Sequence, residues 1–365
     1  MPGRRTVEEK NRGNAVGSMS KFVLAGAMAL FAASTAPPAK AAAAPAPCTA
    51  DGKIGFICGL NDVEDLVLVP GTRWIIGSSY QLGAAAPKSG GLYAIDTKAK
   101  TAKTAAMTLG PADKAYAGCA PPTLAGLNTH GLDLRPGSGG QHTLYVLNHG
   151  GRESIEIFRV DAKGAEPKLT WTGCVVLPDG VNGNSVAALP KGAFAVTKFQ
   201  DSADKQGIVH ILNGDVTGAV LIWTPGAGFS ELKGARLAGN NGMIASPDGK
   251  YLFVNAYGGK AIWRFAVDGS EPAKSAPMAF RPDNLRWAPD GKILATGQFI
   301  EPATLRTPLH GWAVVRLDPK TMATTPVLQQ PGRPSFDDGT VALQVGDTLW
   351  VGTFRGDRIV YAPMK

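Results

Sequence analysis

Short apolar runs alternate with turns along this chain, and the alternation repeats six times between residues 64 and 365. Each unit begins with a polar residue that stands six positions before the turn of a predicted β-hairpin. One apolar run follows the turn and a second comes after it. Both are rich in Val, Ile, Tyr, Phe and Trp, as is typical of strands. The six polar residues are Glu64, His130, Asn184, Asn241, Asp283 and Asp338.

The spacing of these polar residues predicts the fold class. Successive members are 66, 54, 57, 42 and 55 residues apart. A period of tens of residues with several strands per unit is typical of propeller blades. The chain is therefore predicted to be all-β, a six-bladed β-propeller whose six polar side chains form a ring in a central tunnel. A polar tunnel without any function is the alternative that the pattern alone leaves open.

The ends of the chain and the weaker runs complete the prediction of strands. The sixth blade runs out of chain, so we expect residues 52–60 to supply its outer strand and close the ring, which removes an exposed sheet edge. Residues 101–109 and 168–177 are predicted as the fourth strands of blades one and two. In blade three, residues 207–214 are predicted as a strand and residues 219–225 as the fourth strand. No long amphipathic helix is predicted after residue 42.

Residues 1–41 are predicted to be a polar extension with a signal peptide, and residues 42–365 a single propeller domain. Lys21 precedes an apolar stretch, and Ala39-Lys40-Ala41 fits a small-x-small cleavage site. The stretch is short for a membrane span, although an uncleaved anchor and a translation start at Met19 are alternatives. We therefore expect a secreted or periplasmic protein with no stable membrane span after cleavage.

Cysteine usage and charge narrow the class of protein. Four cysteines follow the cleavage site, and in an exported protein we favour the disulfides Cys48–Cys58 and Cys119–Cys174. No C-x-x-C pair supports a zinc or redox motif. The net charge is +8, and residues 1–41 carry six basic and two acidic residues, which leaves +4 on the mature chain. No basic cluster with interleaved aromatic residues indicates nucleic-acid binding.

The chemistry of the ring favours a calcium site. Carboxylate and amide oxygens are hard donors that suit Ca²⁺, which takes six to eight oxygen ligands, and they disfavour zinc or copper. Two carboxylates balance the charge of a divalent ion, and the open positions are available to water or substrate. The candidate ligands are Glu64, Asn184, Asn241, Asp283 and Asn284.

Two histidines add a candidate general base. His130 belongs to the ring, and His149 follows 19 residues later on the next predicted strand, where a hairpin can bring the two together. A histidine beside an oxygen-ligated ion can take a proton from water. Asp65 is predicted either to bind a second ion or to cap a loop. Asp337 and Asp338 are predicted either as additional ligands or as a turn. The remaining histidines are predicted in turns or on the surface: His142, His210 and His310.

The ordered motifs THGLDL, LYVLNHGG, NSVAAL, NNGMIASPDGKYLFV and PDNLRWAPDG resemble those of the calcium-dependent paraoxonase/arylesterase family, from about residue 63 to 299. The resemblance implies a six-bladed propeller with two calcium ions in its tunnel. It implies a catalytic calcium on Glu64, Asn184, Asn241, Asp283 and Asn284, and a histidine dyad of His130 and His149. It also implies hydrolysis of lactones and aryl esters.

The chain departs from that family at two points. The second, structural calcium of the family uses the position of Asp65 and an acidic residue where this chain has Ser185, a weak ligand. The C-terminal cysteine of the family's closing disulfide is missing. The sequence thus predicts an exported calcium-dependent hydrolase acting on a small ester or lactone. A calcium-stabilised propeller without catalysis and a gluconolactonase-like or strictosidine-synthase-like enzyme are the alternatives. Loops 80–90, 110–128 and 299–311 are expected to choose the substrate.

Overall fold

Six small sheets, antiparallel except for one parallel strand pair, are arranged in a ring, which is the architecture of a six-bladed β-propeller. The computed structural model describes residues 47–81, 91–305, 307 and 309–364. The predicted fold class is confirmed. The predicted signal segment, residues 19–41, lies outside the described residues. No helix among the described residues is long and apolar enough to cross a membrane.

Twenty-five strands are described, numbered here in chain order. Strand β1 is Gly55–Cys58. Blade 1 contains β2 (Leu66–Leu68), β3 (Trp74–Gly77), β4 (Tyr93–Asp96) and β5 (Thr101–Thr104). Blade 2 contains β6 (Met107–Leu109), β7 (Thr129–Arg135), β8 (Gln141–Asn148), β9 (Ser154–Asp161) and β10 (Lys168–Val176). Blade 3 contains β11 (Val181–Ala188), β12 (Phe194–Asp201), β13 (Ala219–Thr224) and β14 (Gly228–Glu231).

The other three blades have four strands each. Blade 4 contains β15 (Asn240–Ala245), β16 (Tyr251–Ala256), β17 (Ala261–Ala266) and β18 (Lys274–Pro277). Blade 5 contains β19 (Arg281–Trp287), β20 (Ile293–Gln298), β21 (Trp312–Leu317) and β22 (Thr324–Gln330). Blade 6 contains β23 (Gly339–Val345), β24 (Thr348–Thr353) and β25 (Arg358–Pro363), with β1 at its edge. Among the described residues there is one α-helix, α1 (Gly207–Leu212), and the 3₁₀ segments are Lys114–Tyr116, Leu124–Gly126, Pro190–Gly192 and Pro302–Thr304.

Predictions about blades 1 and 3 need correction. Residues 207–214 were expected to be a strand but form α1, and β13, expected to be the fourth strand of blade 3, is its third. The sequence GIVHIL has strand-like residues, yet tertiary context overrides such a weak propensity. The predicted fourth strand 101–109 also divides: β5 completes blade 1, whereas β6 pairs in parallel with β10 of blade 2.

Strand β1 closes the ring, as the sequence predicts. It pairs antiparallel with β25, from Gly55 opposite Tyr361 to Cys58 opposite Arg358. Its Ile57 packs in an apolar cluster with Ile75 of blade 1 and Trp350 of blade 6. Both predicted disulfides form, Cys48–Cys58 next to this seam and Cys119–Cys174 on blade 2. Disulfides are typical of oxidising compartments.

Truncating Ile57 at the seam is expected to destabilise the whole ring. Ile57 is buried, and Ile→Ala changes in cores cost about 2–5 kcal/mol. Urea unfolding of Ile57→Ala should show a loss of this size. Val216→Ala is the control, because Val216 is 66% exposed and surface changes stay within about 0.5 kcal/mol. Equal stability of the two variants would contradict the role of β1 in closure.

Candidate active site in the tunnel

The six polar residues of the repeat lie in the first half of the innermost strand of each blade or, for Glu64 and Asp338, one or two residues before it. All six are buried, with between 0% and 6% of each residue exposed. In blades 2 to 6 the pairing between the first and second strands is interrupted beside the polar residue, for example between Thr129 and Leu132 and between Asn240 and Met243. Such irregularities re-aim side chains, and here they free the residues of the ring from the regular register of the sheet.

Glycines next to the ring bring neighbouring inner strands close together. A Cβ atom on Gly131 would lie 2.5 Å from the backbone oxygen of Asn184, and one on Gly242 would lie 2.0 Å from that of Asp283. Both distances are shorter than van der Waals contact, so the glycine that follows His130 and the one that follows Asn241 have a steric reason. The motifs HG and NG in the sequence therefore contain glycine because the neighbouring inner strands leave no room for a Cβ atom.

One cavity of about 340 Å³ brings most of the predicted site residues together. Its polar lining includes Glu64, His130, Asn184, Asn241 and Asp283. Asn284 does not line this cavity but donates from Nδ2 to Glu64 Oε1 at 2.5 Å. The rest of the wall is largely apolar and aromatic: Tyr80, Phe199, Ile208, Leu212, Tyr257, Ile300, Leu305 and Phe354. Of the loops expected to choose the substrate, Tyr80 at the start of 80–90 and Ile300 and Leu305 of 299–311 line the cavity, and no residue of 110–128 does.

Three oxygens of ring residues that line the cavity are buried and accept no hydrogen bond: Glu64 Oε2, Asn184 Oδ1 and Asn241 Oδ1. The sixth ring residue, Asp338, does not line the cavity, and its Oδ2 faces the Arg355 guanidinium. Buried polar atoms are rarely left unpaired without a reason. An ion held by oxygens would satisfy all three, and the adjoining carboxylate of Asp283 would balance its charge. The donors present therefore fit a calcium ion.

The carboxylates of the ring are crowded. Burial raises the pKa of Glu64 well above its usual value, and the neighbouring Asp283 and Asp65 carboxylates add to this rise. Burial also raises the pKa of Asp283 to about 7, although a hydrogen bond from Gln298 Nε2 opposes the shift. Negative charge is thus costly here without a cation, which is the electrostatic environment of a metal site.

His130 and His149 meet, as the hairpin argument predicts. His130 Nδ1 lies 3.0 Å from His149 Nε2, and His149 Nδ1 lies 2.7 Å from Glu153 Oε1. A carboxylate only accepts hydrogen bonds, so His149 donates from Nδ1 to Glu153 and accepts at Nε2 from His130. His130 Nε2 is then left as an acceptor near Glu64 Oε2 (3.7 Å) and Asn184 Nδ2 (3.4 Å).

Two partners of the dyad were not found from the sequence. Glu153 follows His149 by four residues, a spacing that carries no signal in a loop between strands. Tyr80 stacks on the His130 ring with centroids 3.8 Å apart and an interplanar angle of 5°. It follows β3 in the stretch SSYQ, which matches no motif. Burial and the neighbouring His149 lower the pKa of His130 well below its usual value, so its neutral form prevails at neutral pH.

Asp65 and the Asp337–Asp338 pair have protein partners. Asp65 accepts from the backbone N–H groups of Leu66 and Leu132 and lies 2.5 Å from a guanidinium nitrogen of Arg286. Asp338 lies 2.9 Å from His310 Nδ1 and 2.5 Å from a guanidinium nitrogen of Arg355.

Two histidines that were expected in turns or on the surface are buried. The side chain of His310 is 1% exposed beside Asp338. His142 is 6% exposed and accepts from Gly137 N at Nδ1. His310 lies in a hydrogen-bond network with Asp338 and Thr304 O, whereas His142 makes a local bond in the β7–β8 hairpin. His210, in contrast, is partly exposed on α1 and pairs with Asp204.

The fold and this tunnel define a six-bladed β-propeller with an oxygen-rich central site. No family model matches the sequence, and no curated protein matches it. Among solved structures, a luciferin-regenerating enzyme superposes with a TM-score of 0.50 at 12% identity, covering 85% of this chain and 97% of that one. A gluconolactonase from Xanthomonas campestris gives a TM-score of 0.49 at 14% identity, covering 86% and 89%. Likeness at this level of identity concerns the fold alone.

Proposed function

We propose that the protein is a calcium-dependent hydrolase of lactones and aryl esters. The observation that carries the proposal is the meeting, in one cavity, of three unpaired buried oxygens and a histidine whose acceptor nitrogen is fixed by a hydrogen-bonded chain. The resemblance of the sequence motifs to the paraoxonase/arylesterase family supports the same activity.

Each group has a role in this proposal. Glu64, Asn184, Asn241 and Asp283 would hold a calcium ion with their side-chain oxygens, and Asn284 would orient Glu64 through its hydrogen bond. A bound calcium ion would polarise the carbonyl of the substrate and stabilise the oxyanion that forms on attack.

The histidines would transfer the proton of the attacking water. His130 Nε2 would accept a proton from the attacking water, which is general-base catalysis. His149 and Glu153 would hold the His130 ring in the tautomer that leaves Nε2 unprotonated, as an acceptor next to Asn184 Nδ2. Tyr80 fixes the plane of the ring by stacking on it. The proton taken up would then pass to the alkoxide or phenoxide leaving group.

The apolar wall bears on the substrate class. Aromatic and aliphatic side chains line the cavity around the polar floor. Burial of apolar surface contributes about 25 cal/mol per Å², so an aryl ester or a lactone with an apolar substituent would gain binding energy there.

Removal of calcium tests the proposal. Purified protein should hydrolyse a simple lactone and phenyl acetate, lose both activities with a chelator and regain them with added calcium. The melting temperature should fall on chelation, because an ion at 100 times its Kd stabilises the folded state by about 2.7 kcal/mol. A lower melting temperature with no turnover of either substrate would instead indicate a non-catalytic propeller.

A further inference from the structure

A buried arginine lies on the inner strand of blade 5, three residues after Asp283. Arg286 is 5% exposed. Its guanidinium donates from Nε to Leu66 O at 2.6 Å, from Nη1 to Leu285 O at 2.7 Å and from Nη2 to Leu132 O at 2.9 Å. Nη2 also lies 2.5 Å from Asp65 Oδ1. Three carbonyl oxygens and one carboxylate therefore surround a single positive charge.

These oxygens come from the inner strands of three different blades. Leu66 belongs to β2 of blade 1, Leu132 to β7 of blade 2, and Leu285 to β19 of blade 5. Backbone carbonyls together with a carboxylate are also what a calcium ion would coordinate. The cradle thus suits a cation, and a side chain of this chain fills it.

Electrostatics agrees with this assignment. The Arg286 guanidinium places a positive charge 2.5 Å from the buried Asp65 carboxylate. A buried carboxylate such as Asp65, which is 0% exposed, requires a partner of opposite charge. A guanidinium is always charged and offers its donors in a planar fork.

The family resemblance assigns a second position to the structural ion, which is Ser185 in this chain. Its side chain already has protein partners. Ser185 Oγ accepts from the backbone N–H of Met243 and so links blade 3 to blade 4. Ser185 N in turn donates to Thr197 Oγ1. The residues at this end of the tunnel therefore do not fit a second calcium ion.

We propose that Arg286 takes the place of a second, structural calcium ion, so that its guanidinium joins the inner strands of blades 1, 2 and 5 through Asp65 and three carbonyl groups. The second positive charge is then part of the polypeptide itself, and it remains in place when a chelator removes metal ions. This proposal concerns how the ring is held together, and it stands whether or not the tunnel is catalytic.

Calcium stoichiometry and a double-mutant cycle test the proposal. The wild type and Asp65→Asn should bind the same number of calcium ions in calorimetry, because Asp65 is not an ion ligand. Arg286→Met should lower the melting temperature in chelator by roughly 5–10 °C, the loss expected when one partner of a buried ion pair is removed. The double variant Asp65→Asn/Arg286→Met should be less destabilised than the sum of the two single changes.

Rescue by calcium distinguishes this role from ordinary packing. Without its guanidinium, the cradle presents Asp65 and bare carbonyls, so Arg286→Met should gain one calcium equivalent and recover at least half of its lost melting temperature in millimolar calcium. Arg281→Met is the matched control. Arg281 is also buried and donates to the carbonyls of Ile300 and Leu212, but its carboxylate partner Glu301 is 46% exposed. The variant Arg281→Met should gain no calcium.

Each other result overturns the proposal. Loss of one calcium equivalent in Asp65→Asn would show that an ion, not Arg286, neutralises this carboxylate. Additive effects in the cycle would show that the two side chains do not act together. If Arg286→Met fails to fold, Arg286→Lys keeps the charge and should fold without gaining calcium. A second calcium equivalent in Arg286→Lys would count against the guanidinium as the replacement.

Discussion

Replacing Asp283 by Ala should abolish hydrolysis and the stabilisation by calcium together. Asp283 is buried at the floor of the cavity, and it is one of two ring carboxylates that would balance the charge of the ion. Loss of even a single oxyanion donor costs about 10²–10³ in kcat, so loss of the ion itself should cost at least about 10³-fold. Initial rates with a lactone and melting curves with and without calcium measure both effects.

Asp283→Asn separates charge from shape. The folded-state pKa of Asp283, about 7, lies above the usual value of a carboxyl group. Between roughly pH 4 and 7 the folded chelated protein therefore binds more protons than the unfolded chain, and stability falls as the pH rises through this window. Asn removes that cost, so the chelated variant should be more stable than the chelated wild type at pH 8, and the difference should shrink toward pH 4.

Asp248→Ala is the control for both variants. Asp248 sits in the exposed Pro-Asp-Gly turn of blade 4, and its side chain is 54% exposed. The variant Asp248→Ala should retain the hydrolytic activity and the rise of the melting temperature with calcium. Full activity in Asp283→Ala would reject the ring as a metal site, and a calcium response that survives in this variant would do the same.

The sequence predicts the polar residues of the ring but not the residues that contact the two histidines. A polar residue that recurs in one register can be read directly, because register decides which side of a sheet a side chain faces. The closing strand was predictable for a related reason, since an open edge must be covered. Glu153 and Tyr80 were not predictable, because they meet His149 and His130 through loop geometry that no local pattern encodes.

Arg286 shows the same limit. In the stretch DNLRWAPDG it looks like one polar position of an alternating strand. Only the packing of three inner strands shows that its guanidinium faces Asp65, which lies 221 positions earlier in the sequence. The strand prediction at 207–214 was wrong for a comparable reason, because the short helix α1 packs Ile211 and Leu212 against Tyr257 and Ile300.

Replacing His130 by Gln should lower kcat by about 10²–10⁴-fold, the range that general-base catalysis contributes. Gln cannot accept a proton at neutral pH, yet it can still hydrogen-bond near Asn184. The melting temperature and its rise with calcium should therefore stay close to those of the wild type. Rates, KM and calcium titrations on the same preparation separate loss of the base from loss of the ion.

Glu153→Gln resolves what the dyad does. Glu153 does not line the cavity; it accepts from His149 Nδ1 and so sets the tautomers of both histidines. Its replacement should lower kcat less than His130→Gln, leave KM and calcium affinity unchanged, and add little further loss in the double variant, because both changes disable one chain of hydrogen bonds. If His130→Gln keeps full activity while Asp283→Ala loses it, the ion alone activates water, and the enzyme belongs with propeller hydrolases that use no histidine base.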